Sequence, residues 1–175
     1  MLIFVVVEVM TFGGFISAFS IAKAQNNVWP PPNQPRLPVE ATAFNTMALI
    51  LSGILLYMAG RKFAKSEASA QVLILVSVLL GSLFVFFQGY EWVQLLGEGL
   101  TIQSSQYGSF FYMIVGAHAI HAIIALTVLI YLYVQGLRKQ LTASALWAGQ
   151  IFWYFVVGIW PVLYMLVYDP FGLTP

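Results

Sequence analysis

The sequence predicts an all-α membrane protein, a polytopic bundle of five transmembrane helices with its N-terminus inside and its C-terminus outside, and three observations carry that prediction. First, 61% of the 175 residues are hydrophobic and only 7% are charged, with a mean hydropathy of +0.88, whereas soluble domains carry about 25% charged residues. Second, the apolar residues gather into five runs, each near the roughly 20 residues that a spanning helix needs. Third, those runs are apolar all round instead of alternating in polarity, which argues against the strands of a β-barrel. The runs cover residues 2–22, 43–60, 70–92, 109–137 and 145–168. Residues 1–175 read as a single transmembrane domain.

The first run opens MLIFVVVEVM, without the charged leader and small-residue cleavage site of a secretory signal, and is expected to be a retained helix. Gly13 with Gly14, and Gly53 in the short second run, would permit close helix approach. The link 23–42 contains VWPPPNQPRLP, whose prolines forbid helix and favour a stiff, extended loop with Trp29 at the membrane interface. The next link carries Arg61, Lys62 and Lys65. Link 93–108 is polar and glycine-containing, with Glu98 and no basic residue, and the fourth link holds Arg138 and Lys139. In the last run Pro161 is expected to kink the helix. Links two and four thus contain five basic residues against two, Lys23 and Arg36, in links one and three. That bias sets the orientation by the positive-inside rule. No internal repeat is visible, and five helices do not divide into the equal halves of an inverted-repeat transporter.

Composition also excludes whole classes of function. A formal charge of +1 provides no basic surface for nucleic acid. The absence of cysteine rules out disulfides, thiolate catalysis, zinc–cysteine sites and iron–sulfur ligation.

The candidate functional residues are the few ionisable groups inside the spans: Glu8, Glu91, His118 and His121. Such groups are expensive in hydrocarbon and face protein, water or a bound ligand. His118 and His121, three residues apart, share one helix face. At a rise of about 1.5 Å per residue, Glu8 and His121 come out at similar depth and His118 near mid-membrane. Glu8 is therefore the expected companion of His121. Glu8 reads either as a group that exchanges a proton or holds a lipid or partner helix, or as a neutral acid bonded to a neighbouring helix. Glu91, one turn from Gln88, either shares a polar face with it or reaches solvent and headgroups. Asn45 adds an amide near the outer end of the second run. Metal or haem ligation by the two histidines is the competing reading. It needs further ligands, and the sequence has no HExxH and no second histidine pair. Hydrogen bonding across helices is expected instead, with no metal site and no catalytic residue.

The motifs, taken together and in order, resemble the cytochrome c oxidase subunit III family of the haem–copper oxidases. They are EVMTFGGFISAF at 8–19, WPPP at 29–32, FNT followed by LILSG at 44–53, FQGYEW at 87–92, YGSFF at 107–111, GAHAIHA at 116–122 and WYFVVGIW at 153–160. Each is weak alone; their order along nearly the whole chain makes the match. The resemblance implies a non-catalytic subunit of a terminal oxidase, packed against subunit I and other respiratory-complex subunits. Haem and copper would lie in that partner and none in this chain, while phospholipid is bound and proton uptake by the core is sustained. It also implies an integral membrane protein, of a bacterial inner membrane in this five-helix form, whose spans match the last five of the seven helices of longer members. Glu8 matches the family's buried glutamate, His118 and His121 its HxxH pair, and Glu91 the acid after the glutamine-containing turn. The WPPP loop favours the cytochrome c type over quinol oxidases.

One departure stands out. Tyr154 and Val157 occupy places where the family's last helix usually has histidine and aspartate, which puts in doubt any lipid or proton-linked role for that helix. The alternatives are an accessory subunit of a nitric oxide reductase or another respiratory supercomplex and, from a different class, a free-standing transporter or haem anchor.

Overall fold

The computed structural model describes residues 1–26, 28, 29, 31, 35, 37–64 and 66–169. Five helices occupy them: α1 (Leu2–Ala24), α2 (Val39–Phe63), α3 (Glu67–Gly97), α4 (Gln106–Leu137) and α5 (Ala143–Leu163), the last continuing into a π-helical turn at Tyr164–Tyr168. All five are long and apolar enough to cross a membrane, and no strand occurs among the described residues. Pro30 and Pro32 of the WPPP motif, and Arg36 and Lys65 of the charge bias, lie outside the described residues.

The helices overrun the apolar runs, most of all α3, because hydropathy marks the segment suited to hydrocarbon whereas capping sets the helix end. Ser66 Oγ accepts the Ser69 N–H at 3.4 Å, Ser105 Oγ that of Gly108 at 3.0 Å, and Thr142 Oγ1 that of Ala145 at 3.3 Å. Each hydroxyl satisfies an orphan donor of the first turn. Helix α3 stops where Gly99 N–H donates to Leu96 O at 3.1 Å and Leu100 N–H to Leu95 O at 3.0 Å, with Gly99 at φ 92°. That left-handed stop favours glycine. Helix α4 ends with the same pair of bonds, Lys139 N–H to Gly136 O and Gln140 N–H to Gln135 O, but with Lys139 at φ 56°. Pro161 lies inside α5, where the backbone stays helical to Leu163 and then widens into the π turn.

Helices α2 and α3 make the most extensive pairing, α5 packs on α2 and α4, and α1 rests on α4 and α5. The centre is aromatic, with Trp153 and Trp160 fully buried beside Leu49, Leu56 and Ile74. Lipid tails are as apolar as leucine, so close packing and polar contacts hold membrane helices together instead of water exclusion. Gly81 illustrates the packing: a Cβ there would lie 2.7 Å from the Trp153 ring. Gly53 faces Val157 at 3.1 Å on the same construction, as close approach requires, whereas Gly13 and Gly14 have nothing within 4 Å. Helix α1 packs through Phe12 and Phe19, which leaves those glycines on its exposed side. It is also the least enclosed helix, with Ile3 83% and Met10 72% exposed.

Candidate functional site

Glu8 lies two turns into α1 and His121 near the middle of α4, and the packing of these helices puts Glu8 Oε2 3.1 Å from His121 Nε2. The other ring nitrogen, Nδ1, is 2.7 Å from the carbonyl oxygen of Ala117. A carbonyl only accepts, so Nδ1 carries a proton and donates it. One further proton then completes the contact. It sits either on the Glu8 carboxyl, donating to the Nε2 lone pair, or on Nε2, donating to the carboxylate. Both arrangements are neutral overall, which is how an acid and a base coexist at low dielectric. Phe12 and Phe155 meet the imidazole edge-on at 5.6 and 5.9 Å. The two side chains remain 17% and 18% exposed, so the pair sits at the rim of the α1–α4 contact.

His118, one turn earlier on α4, is in a different situation. It is 1% exposed and lies nearly parallel to the Trp160 indole, with centroids 4.8 Å apart at 28°, while Phe84 meets it at 6.3 Å. Neither ring nitrogen has a hydrogen-bond partner among the described residues. The expected bond to another helix is therefore replaced by stacking on α5.

Glu91 belongs to a third arrangement. It is buried, with Thr42 Oγ1 and Gln88 Nε2 each donating to its Oε2 at 3.0 Å. Gln88 Nε2 also donates to the Tyr168 hydroxyl at 3.0 Å. From there the polar chain continues down α2. The Trp160 indole N–H donates to Thr46 Oγ1 at 2.8 Å, and Thr46 donates to the Thr42 carbonyl at 2.7 Å. Asn45 Nδ2 donates to Phe84 O at 3.1 Å, while Ser77 donates to Ser52 O and the Trp153 indole N–H to Ser52 Oγ, both at 2.8 Å. This ladder links α2, α3 and α5.

Of the four residues singled out in the sequence, the structure joins Glu8 to His121 directly, and it holds His118 and Glu91 in separate surroundings. Gln88 and Asn45 also take part. Thr42, Thr46, Ser52 and Tyr168 escaped the reading because it followed ionisable groups. The signal that could have found them is the recurrence of small polar residues on one face of α2, Thr42, Asn45 and Thr46 at spacings of three and four with Ser52 seven residues after Asn45, which is a helix-contact pattern in membranes. No group of three or more His, Asp or Glu that could hold a metal occurs among the described residues.

With this geometry in hand, comparison with known proteins is direct. The family model described as "Cytochrome c oxidase subunit III" matches residues 1–170. The chain is similar to the protein named "Probable cytochrome c oxidase subunit 3" of Nocardia farcinica (strain IFM 10152), 30% identical over 165 residues, which is 92% of this chain and 81% of that one. It is also similar to proteins named "Cytochrome c oxidase subunit 3" from Phoca vitulina, 32% identical over 178 residues, and Loxodonta africana, 30% identical over 178. In both of these the match spans 96% of this chain and 67% of the relative.

Proposed function

Because the chain belongs to the cytochrome c oxidase subunit III family, the non-catalytic subunit of the haem–copper oxidases, we propose that it packs against subunit I, holds phospholipid and sustains proton uptake by that core. It is an integral membrane protein that associates with other oxidase subunits. Haem and copper are assigned to the core partner and none to this chain. The relative in Nocardia farcinica supports a bacterial inner membrane. The basic residues Arg61, Lys62, Arg138 and Lys139 at the ends of α2 and α4 support an inside N-terminus and an outside C-terminus.

The observation that carries the proton-linked part is the Glu8–His121 contact, 3.1 Å long and partly exposed at the edge of α1. A neutral acid–base pair in that position can exchange one proton without a net charge entering hydrocarbon. It also offers a lipid headgroup or a neighbouring subunit both a donor and an acceptor. The test is Glu8→Gln in the assembled oxidase. The complex is expected to assemble, because the amide still donates to Nε2, while proton-linked turnover or the amount of co-purified phospholipid changes. Unchanged turnover together with unchanged lipid refutes the role.

A further inference from the structure

A groove between α2 and α3 reaches the lipid-facing side of the bundle, and the roles above do not use it. Along α2, Ala41, Asn45 and Ala48 share one face at spacings of four and three; along α3, Leu83, Phe87 and Glu91 do so at spacings of four. The two alanines are too short to fill the gap between the helices, which leaves a space of about 440 Å³ lined by these residues and Phe44. At about 1.5 Å per residue the groove runs roughly 10–12 Å along the helices. Phe44 and Phe87 are 72% and 49% exposed, so it opens towards lipid.

Two side-chain oxygens in this groove are unbonded among the described residues. Asn45 Nδ2 donates to Phe84 O, which fixes the amide and leaves Oδ1 as an acceptor. Glu91 takes the bonds from Thr42 and Gln88 on Oε2 alone, which leaves Oε1. Asn45 and Glu91 are 4% and 6% exposed, but neither oxygen is sealed in, and the groove is the space that both residues line. An acyl chain lying there would leave both oxygens unbonded, and a buried polar group without a partner costs roughly 1–3 kcal/mol. A ligand that donates a hydrogen bond removes that cost. Asn45 Oδ1 only accepts, whereas Glu91 Oε1 accepts when the carboxyl is charged and donates when it carries the proton. A hydroxyl matches either state, and being uncharged it enters the bilayer at far lower cost than an ammonium group. The rest of the groove, with Ala48 and Leu83 at the end away from Glu91, is apolar and suits an alkyl chain.

We propose that the α2–α3 groove binds a single-chain, uncharged alcohol, its hydroxyl bonded to Asn45 Oδ1 beside Glu91 and its chain lying along Ala48, Leu83 and Phe87. The experiment uses the full chain in lipid nanodiscs, labelled with ¹³C at the glutamate carboxyls and ¹⁵N at the asparagine side chains. The probe is nonan-1-ol, and the control is its isomer 1-methoxyoctane, which accepts a hydrogen bond but cannot donate one. Signals missing in Glu91→Gln and in Asn45→Leu identify the two groups, and otherwise unchanged spectra establish that the variants fold. The alcohol is expected to shift both signals saturably, and the ether to need about tenfold more, as the loss of one hydrogen bond implies. Asn45→Leu, read at Glu91, is expected to weaken the alcohol by about the same factor. Ala48→Leu leaves both oxygens in place and fills the groove, and it is expected to weaken the alcohol at both signals. Equal saturation by the ether, unchanged alcohol binding in both Asn45→Leu and Ala48→Leu, or no saturable shift in the wild-type chain overturns the proposal.

Discussion

Helices α2, α3 and α5 are joined by hydroxyl, amide and indole groups that bond to one another or to backbone carbonyls, among them Ser77 to Ser52, Trp153 to Ser52, Trp160 to Thr46 and Gln150 to Leu56. The α1–α4 contact, by contrast, includes a pair of titratable groups, Glu8 and His121, beside the ring contacts of Phe12 with His121 and of Phe19 with Phe110. The first region has its bonds buried, the Glu91 carboxyl accepting from Thr42 and Gln88 among them. The second is partly exposed and depends on one proton. Most of the bundle is thus joined by buried polar bonds, while its least enclosed helix meets α4 at a partly exposed acid–base pair.

Variants that break the buried side come first. Trp153→Ala removes a fully buried indole and leaves Ser52 without that donor, and a loss of about 3 kcal/mol or more in unfolding free energy is expected. Reversible unfolding of the full chain in mixed micelles measures it. Trp153→Phe keeps a six-membered aromatic ring and loses the N–H with the pyrrole part of the indole; a loss of at least about 0.6 kcal/mol, that of one interhelical bond in a membrane, and smaller than that of Trp153→Ala is expected. Between these falls Gly81→Ala. Its Cβ would meet the Trp153 ring at 2.7 Å, and such overpacking costs about 1–3 kcal/mol; a smaller change would mean that the indole moves aside freely. The smallest effect belongs to neither region. Lys139 carries a left-handed backbone that glycine adopts without a Cβ penalty, so Lys139→Gly should raise stability by about 1 kcal/mol or less in the same assay.

The contrast between the two regions was only half legible in the sequence. Five spans could be read from hydropathy because lipid demands long apolar helices, and the depth argument brought Glu8 and His121 to one level before any coordinates. Capping hydroxyls such as Ser66 and Ser105 lie outside the apolar runs, which is why those runs underestimated α3 and α4. The α2 ladder stayed hidden for another reason. Thr42, Thr46 and Ser52 are ordinary in composition, and their partners Glu91, Trp160 and Trp153 lie 49 to 114 residues away. Spacing along one helix says which face they share and not which helix meets it. His118 shows the same limit: its position on the HxxH face was clear, but stacking on Trp160 depends on how α4 and α5 come together.

The claim that α1 is held to α4 by the Glu8–His121 contact is tested most directly by a double-mutant cycle in the full chain, with Glu8→Leu, His121→Phe and the pair together, read as unfolding free energy in mixed micelles. A coupling on the order of 0.6 kcal/mol, and up to about 1.7, is predicted for two groups bonded across membrane helices. Strict additivity of the two substitutions would contradict it.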